Sequence, residues 1–516
     1  MVTRVSAKTA GKQAAQKVAK SVQKNVKRAV SGTLGLSGER MSKVDTAWLR
    51  MDCDANLMMI VGVWQLAPGV KHAAVCERIE NSLLKYDRFK QRVMEDAAGA
   101  TWVFDRNFDL ANHVVLEKLP KAASGNQQEA LQDRVAALAT QRLDPKRPLW
   151  QIHLVEDYTG PDGVKGSAMI VRIHHCIADG IALISVTMSL VDGGAPPPER
   201  RKKNAAATGA EDWITDTLLK PFTDITVKAL GAVGEGAARS LGMLGDPKKG
   251  MEKGMSGSMD MAKVLFQVLS DTAAMALMPD DSKTRLKGKP GGAKKVAWCQ
   301  PIPLDEVKAV GKALNCSIND VLLSCVAGAL GEYLKSHGDD VTGQEIRAMV
   351  PVNLRPMEQA YKLGNRFGLV PLVLPIGVEN PIERVYEVRR RMAALKGSYQ
   401  PLLAFSLLAV AGLLIKPAQD VMLNLFAKKT TAVMTNVPGP REKLKFCGST
   451  LEQSMFWVPQ SGDVGLGVSI LSYGGGVQFG VITDSTLCPE PQRIIDEFVP
   501  EFAKLSIVTL MLPWGE

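Results

Sequence analysis

The hydrophobic pattern of the 516-residue chain changes its period several times, and it thereby predicts both helices and strands. Apolar residues that recur every three or four positions are typical of a helix face, whereas short apolar runs bounded by turn residues are typical of strands. Helical spacing is found at Ala73, Cys76, Ile79 and Leu83, and over Gly180–Leu190, Leu304–Leu314, Asn319–Leu334 and Glu383–Leu395. The predicted strands are Trp102–Phe108, Leu149–Leu154, Ala168–Ile173, Ile346–Val352 and Val477–Ile482. Helices and strands are therefore mixed on both sides of the middle of the chain.

Two stretches rich in turn-forming and basic residues divide the chain. Residues 193–203 (GGAPPPERRKK) have the composition of an exposed linker, and residues 280–295 are basic and form either a connector or a phosphate-binding segment. The residues between these two stretches have helical patterning. Because the chain is longer than one hydrophobic core usually serves, we predict two α/β domains. They comprise residues 41–195 and 296–516, and a linker with a helical crossover over residues 196–295 joins them.

The net charge of +10 is concentrated in a tail, residues 1–40, that precedes the first domain. Its first 38 residues hold eight basic residues and no acidic one: Arg4, Lys8, Lys12, Lys17, Lys20, Lys24, Lys27 and Arg28. Valines recur there every fourth position from Val18 to Val30, which predicts a helix with a weak apolar stripe. Such a tail either contacts anionic lipid headgroups or is a solvated, partly disordered extension. Nucleic acid is not an expected partner, because the tail has no aromatic residue on which bases could stack.

The eight cysteines are widely spaced, without a CxxC pair or a zinc-like pattern, which is typical of reduced cysteines in a cytosolic protein. No signal peptide is expected, because the N-terminal residues contain no continuous apolar stretch. The longest apolar run, Leu402 to Ile415, is shorter than the roughly 20 residues that a bilayer span requires. It is therefore either a core helix or a surface that dips into lipid.

Candidate chemistry is concentrated in HHCIADG, where a predicted strand ends and a predicted helix begins. Neighbouring side chains of a strand point to opposite faces, so His174 and His175 are not expected to bind one metal ion together. One of them should face the chemistry, because a neutral imidazole with a pKa of about 6.5 can accept a proton from a hydroxyl group. The alternative is that both are ordinary residues satisfied by hydrogen bonds. Asp179 either caps the following helix or accepts a hydrogen bond from a basic group.

Other chemistries have weaker support in the sequence. There is no GxSxG nucleophile elbow, no GxxxxGK[ST] phosphate loop and no GxGxxG after a strand. Cys176 follows the two histidines directly, and adjacent residues rarely have the geometry of a Cys–His pair, so we interpret it as a packed thiol. No metal site is predicted.

The HHCIADG segment resembles the HHxxxDG signature of the CoA-dependent acyltransferase superfamily. Further segments narrow the resemblance to the bacterial wax ester synthase/acyl-CoA:diacylglycerol acyltransferases over roughly residues 41–502. In chain order they are PLW (148–150), SINDVL (317–322), RAMVPVNLRP (347–356), GNRFG (364–368) and TNVPGP (435–440). The resemblance implies an α/β (α+β) fold of two chloramphenicol-acetyltransferase-like domains, with the active-site channel at their interface.

The resemblance also implies roles for individual residues. His175 would be the general base, with His174 supporting the site and Asp179 holding the loop through a salt bridge. Gly180 would let a ligand approach the backbone. Asn319 and Asp320 match the ND pair of the family, and they either line the substrate channel or, in the case of Asn319, cap a helix. The segments PLW and NVPGP are expected to pack beside the site and to shape the channel.

The activity implied by this resemblance is transfer of a long-chain fatty acyl group from acyl-CoA to a fatty alcohol or diacylglycerol, without an acyl-enzyme. Acyl-CoA is then a substrate, and no cofactor is expected. The implied location is cytoplasmic, at the surface of the inner membrane or of lipid inclusions. Alternatives are a condensation-type enzyme that uses a carrier-protein thioester and a lipid-particle-binding protein. The sequence departs from the family at Leu57–Gly62, where a methionine-histidine-valine-glycine stretch is common.

Overall fold

A computed structural model describes residues 38–96, 99–121, 125–194, 278–354, 363–396 and 428–511. Its helices are α1 (Lys43–Arg50), α2 (His72–Asn81), α3 (Gln128–Ala139), α4 (Gly180–Leu190), α5 (Leu304–Ala313), α6 (Ile318–Ser336), α7 (Pro381–Lys396) and α8 (Pro491–Met511). Strands β1 to β8 are Glu39–Arg40, Met59–Ala67, Gln91–Asp96, Gly99–Phe104, Val114–Glu117, Trp150–Thr159, Lys165–His174 and Lys294–Trp298. Strands β9 to β16 are Ile302–Pro303, Ile346–Asn353, Phe367–Leu374, Ala432–Pro438, Lys445–Phe446, Ser449–Trp457, Leu466–Tyr473 and Gly476–Asp484.

The helices and strands predicted from periodicity are found in the structure, and the prediction for α4 matches both of its ends. The predicted strand Trp102–Phe108 extends too far, because β4 ends at Phe104. The Asp105 carboxylate accepts a hydrogen bond from the backbone N–H of Asn107, and this local turn ends the strand. Most of the predicted crossover, the basic tail up to residue 37 and the apolar run at 402–415 lie outside the described residues.

The first sheet has the strand order β13-β14-β2-β7-β6-β5. Strands β2 and β7 are antiparallel, and their register pairs Met59 with His174 and Gly62 with Val171. Helix α4 and helix α3 pack on opposite faces of this sheet, since alternate side chains of β2 and β7 belong to two different cores. The end of β7 is thereby held between two buried layers.

Two strands of the first sheet come from the C-terminal part of the chain. Strand β14 pairs antiparallel with β2, and the register places Phe456 opposite Gly62 and Trp457 opposite Val61. The short strand β13 then extends the sheet beyond β14. The sheet that carries the histidine pair is therefore completed by strands from the predicted second domain. A division of the chain into two consecutive domains does not include this exchange of strands.

The second sheet has the order β11-β10-β12-β15-β16-β8, with β9 on the edge of β16. Helix α6 is buried around most of its circumference, as expected for the central helix of a core. Val61, Val63, Trp298 and Ile482 belong to one buried cluster, so a face of the first sheet packs directly against the second. No single helix among the described residues is long and apolar enough to cross a bilayer, although α5 and α6, bent by 99° at their junction, meet that test together.

The basic stretch at residues 280–295 is more deeply built into the fold than a solvated connector. Lys294 begins β8 and lies between the two halves, where its Nζ donates to Asn56 Oδ1 at 2.6 Å and to Gln460 Oε1 at 3.1 Å. Burial lowers the pKa of Lys294 to about 8. Arg285 pairs with Asp339 at 2.6 Å. These positive charges therefore hold neighbouring segments together.

Candidate active site

The HHCIADG segment forms the connection from β7 to α4. Strand β7 ends at His174 and helix α4 begins at Gly180. Asp179 is the N-cap of α4, and its Oδ1 accepts a hydrogen bond from the backbone N–H of Ala182 at 2.9 Å. The capping role considered for Asp179 is thus confirmed, and it fixes the loop that follows the histidines.

The His175 side chain is almost completely buried, with 3% of its surface exposed. Its ring stacks on the indole of Trp48 from α1, with centroids 4.2 Å apart and an angle of 17° between the planes. Phe367, at the start of β11, lies 5.5 Å away at 46°. The backbone N–H of His175 donates to the carbonyl oxygen of Met58 at 2.7 Å. Three separate segments therefore restrict the orientation of this imidazole.

The GNRFG segment, residues 364–368, binds the histidine loop from the other half of the chain. Asn365 Nδ2 donates to the carbonyl oxygen of His175 at 2.7 Å and to Asp45 Oδ1 at 2.8 Å. The backbone N–H of Asp179 donates to the Gly364 carbonyl at 3.2 Å, and the backbone N–H of Arg366 donates to Asp179 Oδ2 at 2.8 Å. The loop is consequently held by residues from both halves of the molecule.

His174 points away from His175, as the alternation of side chains along a strand predicts. The backbone N–H of Cys176 donates to its Nδ1 at 3.2 Å. Its Nε2 lies 3.5 Å from Asp52 Oδ1, and Asp52 also accepts a hydrogen bond from the backbone N–H of Met58 at 2.6 Å. His174 thus supports the segment to which His175 is bonded.

The two imidazoles have opposite electrostatic environments. Burial, together with the proximity of His174, lowers the pKa of His175 to about 4, so this ring is neutral at pH 7. Burial acts in the same direction on His174, but the Cys176 side chain and the Asp52 carboxylate outweigh it and raise the pKa of His174. Of the two rings, His175 has the lowered pKa and the contacts to both halves of the molecule.

An apolar cavity of about 160 Å³ lies between the first sheet and α4. Its wall on the sheet side is formed by Ile60, Gly62, Trp64, Trp150, Ile152, Met169, Val171, Ile173 and Phe456. Gly180, Leu183 and Thr187 of α4 form the opposite wall, and Gly439 and Pro440 of the TNVPGP segment also line the cavity. A Cβ atom added to Gly180 would meet no atom of the described residues within 4 Å, so these residues leave free space beside this backbone. His175 does not line the cavity, and a channel to its ring remains a prediction.

The ND pair lies where α6 begins. Ser317, not Asn319, is the N-cap of this helix, because the Ser317 hydroxyl accepts the Asp320 N–H while the Asp320 carboxylate accepts the Ser317 N–H. The prediction that Asn319 caps the helix is therefore wrong. Asn319 Oδ1 accepts a hydrogen bond from Asn436 Nδ2 at 3.0 Å, which joins the ND and TNVPGP segments. Neither Asn319 nor Asp320 lines the apolar cavity.

Several residues around His175 were not anticipated from the sequence. Asn365 and Phe367 lie in the GNRFG segment, which was noted as a motif without a role for its side chains. Trp48, Asp45 and Asp52 lie in α1 and just after it, where nothing in the local pattern indicates that they meet a histidine more than 120 residues later. Their roles depend on the topology of the sheets.

The described residues contain neither a metal-binding cluster nor a disulfide. Among the described residues, no group of three or more His, Cys, Asp or Glu side chains is arranged to hold a metal ion. All eight cysteines lie within the described ranges, and none of them is in a disulfide.

The fold and the site together define a class of protein. In its fold the chain is similar to the first condensation domain of the calcium-dependent antibiotic synthetase, with a TM-score of 0.54 and 12% identity over 92% of this chain and 96% of that one. It is also similar to the wax ester synthase/diacylglycerol acyltransferase of Marinobacter aquaeolei, with a TM-score of 0.61 and 20% identity over 91% and 99% of the two chains. The two-sheet fold, in which strands of the C-terminal half complete the first sheet, is the fold that the chain has in common with these proteins.

The family follows from the sequence. The wax ester synthase/diacylglycerol acyltransferase catalytic domain matches residues 41–322, and the WS/DGAT C-terminal domain matches residues 363–506. The chain therefore belongs to the wax ester synthase/diacylglycerol acyltransferase family. It is 26% identical over 484 residues to a probable diacylglycerol O-acyltransferase of Mycobacterium tuberculosis, covering 91% of this chain and 96% of that protein. It is 24% identical over 497 residues to wax ester synthase/diacylglycerol acyltransferase 11 of Arabidopsis thaliana, covering 89% and 93%.

Proposed function

We propose that this acyltransferase moves a long-chain fatty acyl group from acyl-CoA to a fatty alcohol or to diacylglycerol, forming a wax ester or a triacylglycerol. The observation that carries the proposal is the buried, neutral imidazole of His175, held by residues from both halves of the chain. Family membership supports the reaction class. Acyl-CoA is a substrate in this proposal, and no cofactor takes part.

The proposed reaction is a single displacement at the thioester. His175 accepts the hydroxyl proton while the alcohol oxygen bonds to the thioester carbon, which gives a tetrahedral intermediate. The carbon–sulfur bond then breaks, and the CoA thiolate takes the proton back from the imidazolium, so the products are an ester and free CoA. Because Nδ1 of His175 is shielded from solvent, we assign the proton transfer to Nε2. An imidazole with a lowered pKa returns the proton readily.

The other site residues act indirectly in this mechanism. Asp179 keeps the loop in place through its cap and its bond to the Arg366 N–H, and His174 holds the segment that contains Met58. Gly180 provides free space at the start of α4, where the acyl group would pass from the thioester into the apolar cavity. We propose that Asn319 shapes the acceptor side through its contact with Asn436, and that Asp320 fixes the start of the same helix through its bonds with Ser317.

The cavity is a suitable site for the acyl chain, because its lining is almost wholly apolar. Its volume of about 160 Å³ is close to the roughly 150 Å³ of a cavity that accommodates a benzene-sized ligand. It therefore holds only part of a long chain, and the remainder must widen the cavity or extend beyond it. Two chains of a diacylglycerol would not enter it together.

The proposal is tested by offering the purified protein palmitoyl-CoA with hexadecanol and, separately, with diacylglycerol. Release of free thiol and formation of the ester are both expected. His175→Ala should lower turnover by about 10²- to 10⁴-fold, because a general base of this kind contributes that much. Thermal unfolding of the variant shows whether the fold persists. Absence of both thiol and ester with the wild-type protein would contradict the proposal.

The likeness to a condensation domain favours a second candidate donor, a thioester on a carrier protein. The same assay distinguishes the two donors when palmitoyl-CoA is replaced by a palmitoylated acyl-carrier protein. Turnover with the carrier protein alone would favour the condensation-type reaction.

Contact with a lipid surface is a further part of the proposal, and the basic tail supports it. Each basic residue near an anionic surface contributes roughly 1 kcal/mol of attraction. We therefore propose that the enzyme acts at the cytoplasmic face of the membrane or on lipid inclusions. Deleting residues 1–38 should reduce sedimentation with vesicles of anionic lipid while esterification in detergent is retained. Equal sedimentation of both proteins would argue against a role of the tail, and a protein that binds lipid without turnover would be a coat protein.

A further inference from the structure

Gly62 lies in the interior of β2, between Val61 and Val63, at a position where a glycine does not favour a strand. Glycine in the middle of a strand costs about 0.5–1 kcal/mol relative to alanine, and it often marks the close approach of a ligand. Gly62 pairs with Val171 of β7 on one side and with Phe456 of β14 on the other. A β-branched residue would stabilise the strand better, so strand propensity does not explain the glycine at position 62.

The strand register gives the depth of Gly62 in the cavity. Ile60, Gly62 and Trp64 all line the cavity, because alternate residues of β2 face the same side. Met59 pairs with His174, so this pair marks the level of the histidine loop. At a rise of roughly 3.3 Å per residue, Gly62 lies about 10 Å along the strand from that level and Trp64 about 17 Å. The partners of these residues on β7 also line the cavity: Ile173, Val171 and Met169.

The described residues do not fill the space in front of Gly62. A Cβ atom built on Gly62 would lie 3.5 Å from the Met455 carbonyl oxygen and 3.8 Å from Phe456 Cβ, which are ordinary contacts. Gly62 itself is half-buried, whereas Val61 and Val63 are 2% and 1% exposed. A side chain at position 62 could therefore be accommodated, and it would project into the cavity.

We propose that Gly62 determines the acyl chain length that the enzyme accepts. The missing side chain leaves the cavity open between the Ile60 level and the Trp64 level, so that an acyl chain can extend past β2. A side chain at this position would close the cavity about 10 Å from the histidine loop. The inference rests on the proposed function, in which this cavity receives the acyl group of acyl-CoA.

The test compares the wild-type protein with Gly62→Ala and Gly62→Val, using hexanoyl-CoA and palmitoyl-CoA with hexadecanol as the acceptor. Adding one methylene-sized group to an apolar pocket changes discrimination by roughly 10- to 200-fold. The ratio of kcat/KM for palmitoyl-CoA to that for hexanoyl-CoA should fall by this factor in Gly62→Val, and by less in Gly62→Ala. Thermal stability should not fall, because valine has a higher strand propensity than glycine.

Val61→Ile is the matched control, since Val61 is the next residue of the same strand and faces the opposite core. Its chain-length ratio should equal that of the wild-type protein, whatever its total activity. An unchanged ratio in Gly62→Val would overturn the inference. So would a shift in the preferred length of the alcohol with an unchanged acyl ratio, since the acceptor would then occupy the cavity.

Binding without an acceptor separates failure of this inference from failure of the proposed function. The affinities of hexanoyl-CoA and palmitoyl-CoA can be measured calorimetrically for both proteins, even if no ester forms. Weaker binding of palmitoyl-CoA alone in Gly62→Val supports the inference independently of turnover. Equal affinity ratios in the two proteins contradict it, and a wild-type protein that binds but does not turn over contradicts only the proposed function.

Discussion

Asn365 Nδ2 donates a hydrogen bond of 2.7 Å to the carbonyl oxygen of His175, although 190 residues separate the two in sequence. The same amide group bonds to the buried carboxylate of Asp45. This single side chain therefore connects the histidine loop, α1 and the GNRFG segment. Both acceptors are removed from water, and Asp45 Oδ1 also accepts the backbone N–H of Asn365 at 3.0 Å.

Asn365→Ala should lower both stability and activity. The buried His175 carbonyl loses this donor, which costs on the order of 1–3 kcal/mol that urea unfolding can measure, whereas Asp45 keeps the backbone N–H of residue 365. A shift of the catalytic ring by about 1 Å costs up to roughly 100-fold in rate, so kcat should fall more than the affinity for acyl-CoA. Alanine at the exposed Asn107 is the control, and it should change neither quantity. An unchanged kcat in Asn365→Ala would show that the hydrogen bonds of the Asn365 side chain are not needed for catalysis.

The pH dependence of catalysis should reflect the lowered pKa of His175. A protonated imidazole cannot accept the hydroxyl proton, so kcat/KM should fall as the pH drops through about 4. Between pH 6 and 8 this ring is neutral and should cause no change. A pH–rate profile with a fixed acceptor concentration measures this fall of kcat/KM at acid pH. An acid limb near pH 6.5 would mean that the ring is solvated in the working enzyme.

The same pKa predicts how His175 affects stability. The folded pKa of about 4 lies below the unfolded value of about 6.5, so the unfolded state binds more protons between these two values. The free energy of unfolding should therefore fall as the pH is lowered from 6.5 to 4. His175→Gln removes this dependence, and the difference between the two proteins isolates it. A difference that does not vary with pH would contradict the burial of a neutral ring.

Trp48 should be replaceable by phenylalanine but not by leucine. The indole Nε1 is buried and has no hydrogen-bond partner among the described residues, so Trp48→Phe loses none of these bonds and keeps a ring against His175. Trp48→Leu loses the stacking, which is worth about 0.5–1.5 kcal/mol. It also lets water reach the imidazole, so the acid limb of kcat/KM should move to higher pH. If the phenylalanine and leucine variants have the same pH profile, the stacked ring does not control the imidazole.

Gly180→Ala should separate activity from stability. Alanine costs less than glycine in a helix, and its methyl group would meet no protein atom within 4 Å, so thermal stability should be equal or higher. If a ligand occupies this space, kcat/KM for acyl-CoA should fall by roughly 10-fold or more. Unchanged kinetics would show that no substrate approaches the backbone at the start of α4.

Local patterns in the sequence predicted those features that depend on neighbouring residues. Helix α4 was predicted over its full length because its cap, Asp179, and its apolar residues are contiguous. The opposite directions of His174 and His175 follow from strand alternation alone. The end of β4 was missed, because the prediction continued across the polar residues 105–107 to Phe108, whereas the Asx turn at Asp105 ends the strand.

The contacts between distant segments could not be predicted in this way. The meeting of Trp48, His175 and Phe367 requires that α1, β7 and β11 converge, and no periodicity encodes which strands pair. Capping of α6 was one of two alternatives for Asn319, because asparagine is a good cap, but Ser317 with Asp320 forms the reciprocal pair. Whether a channel reaches His175, and whether it is the base, remain predictions.

The position of β14 has a consequence for synthesis on the ribosome. When β2 and β7 have emerged, one side of β2 still has unpaired N–H and C=O groups, and its permanent partner, Ser449–Trp457, has not been translated. An open edge of this kind readily recruits strands of other molecules. A nascent chain must therefore wait, protected or unfolded, until most of the protein has been made. A fragment that stops before residue 449 should aggregate, however complete its histidine motif is.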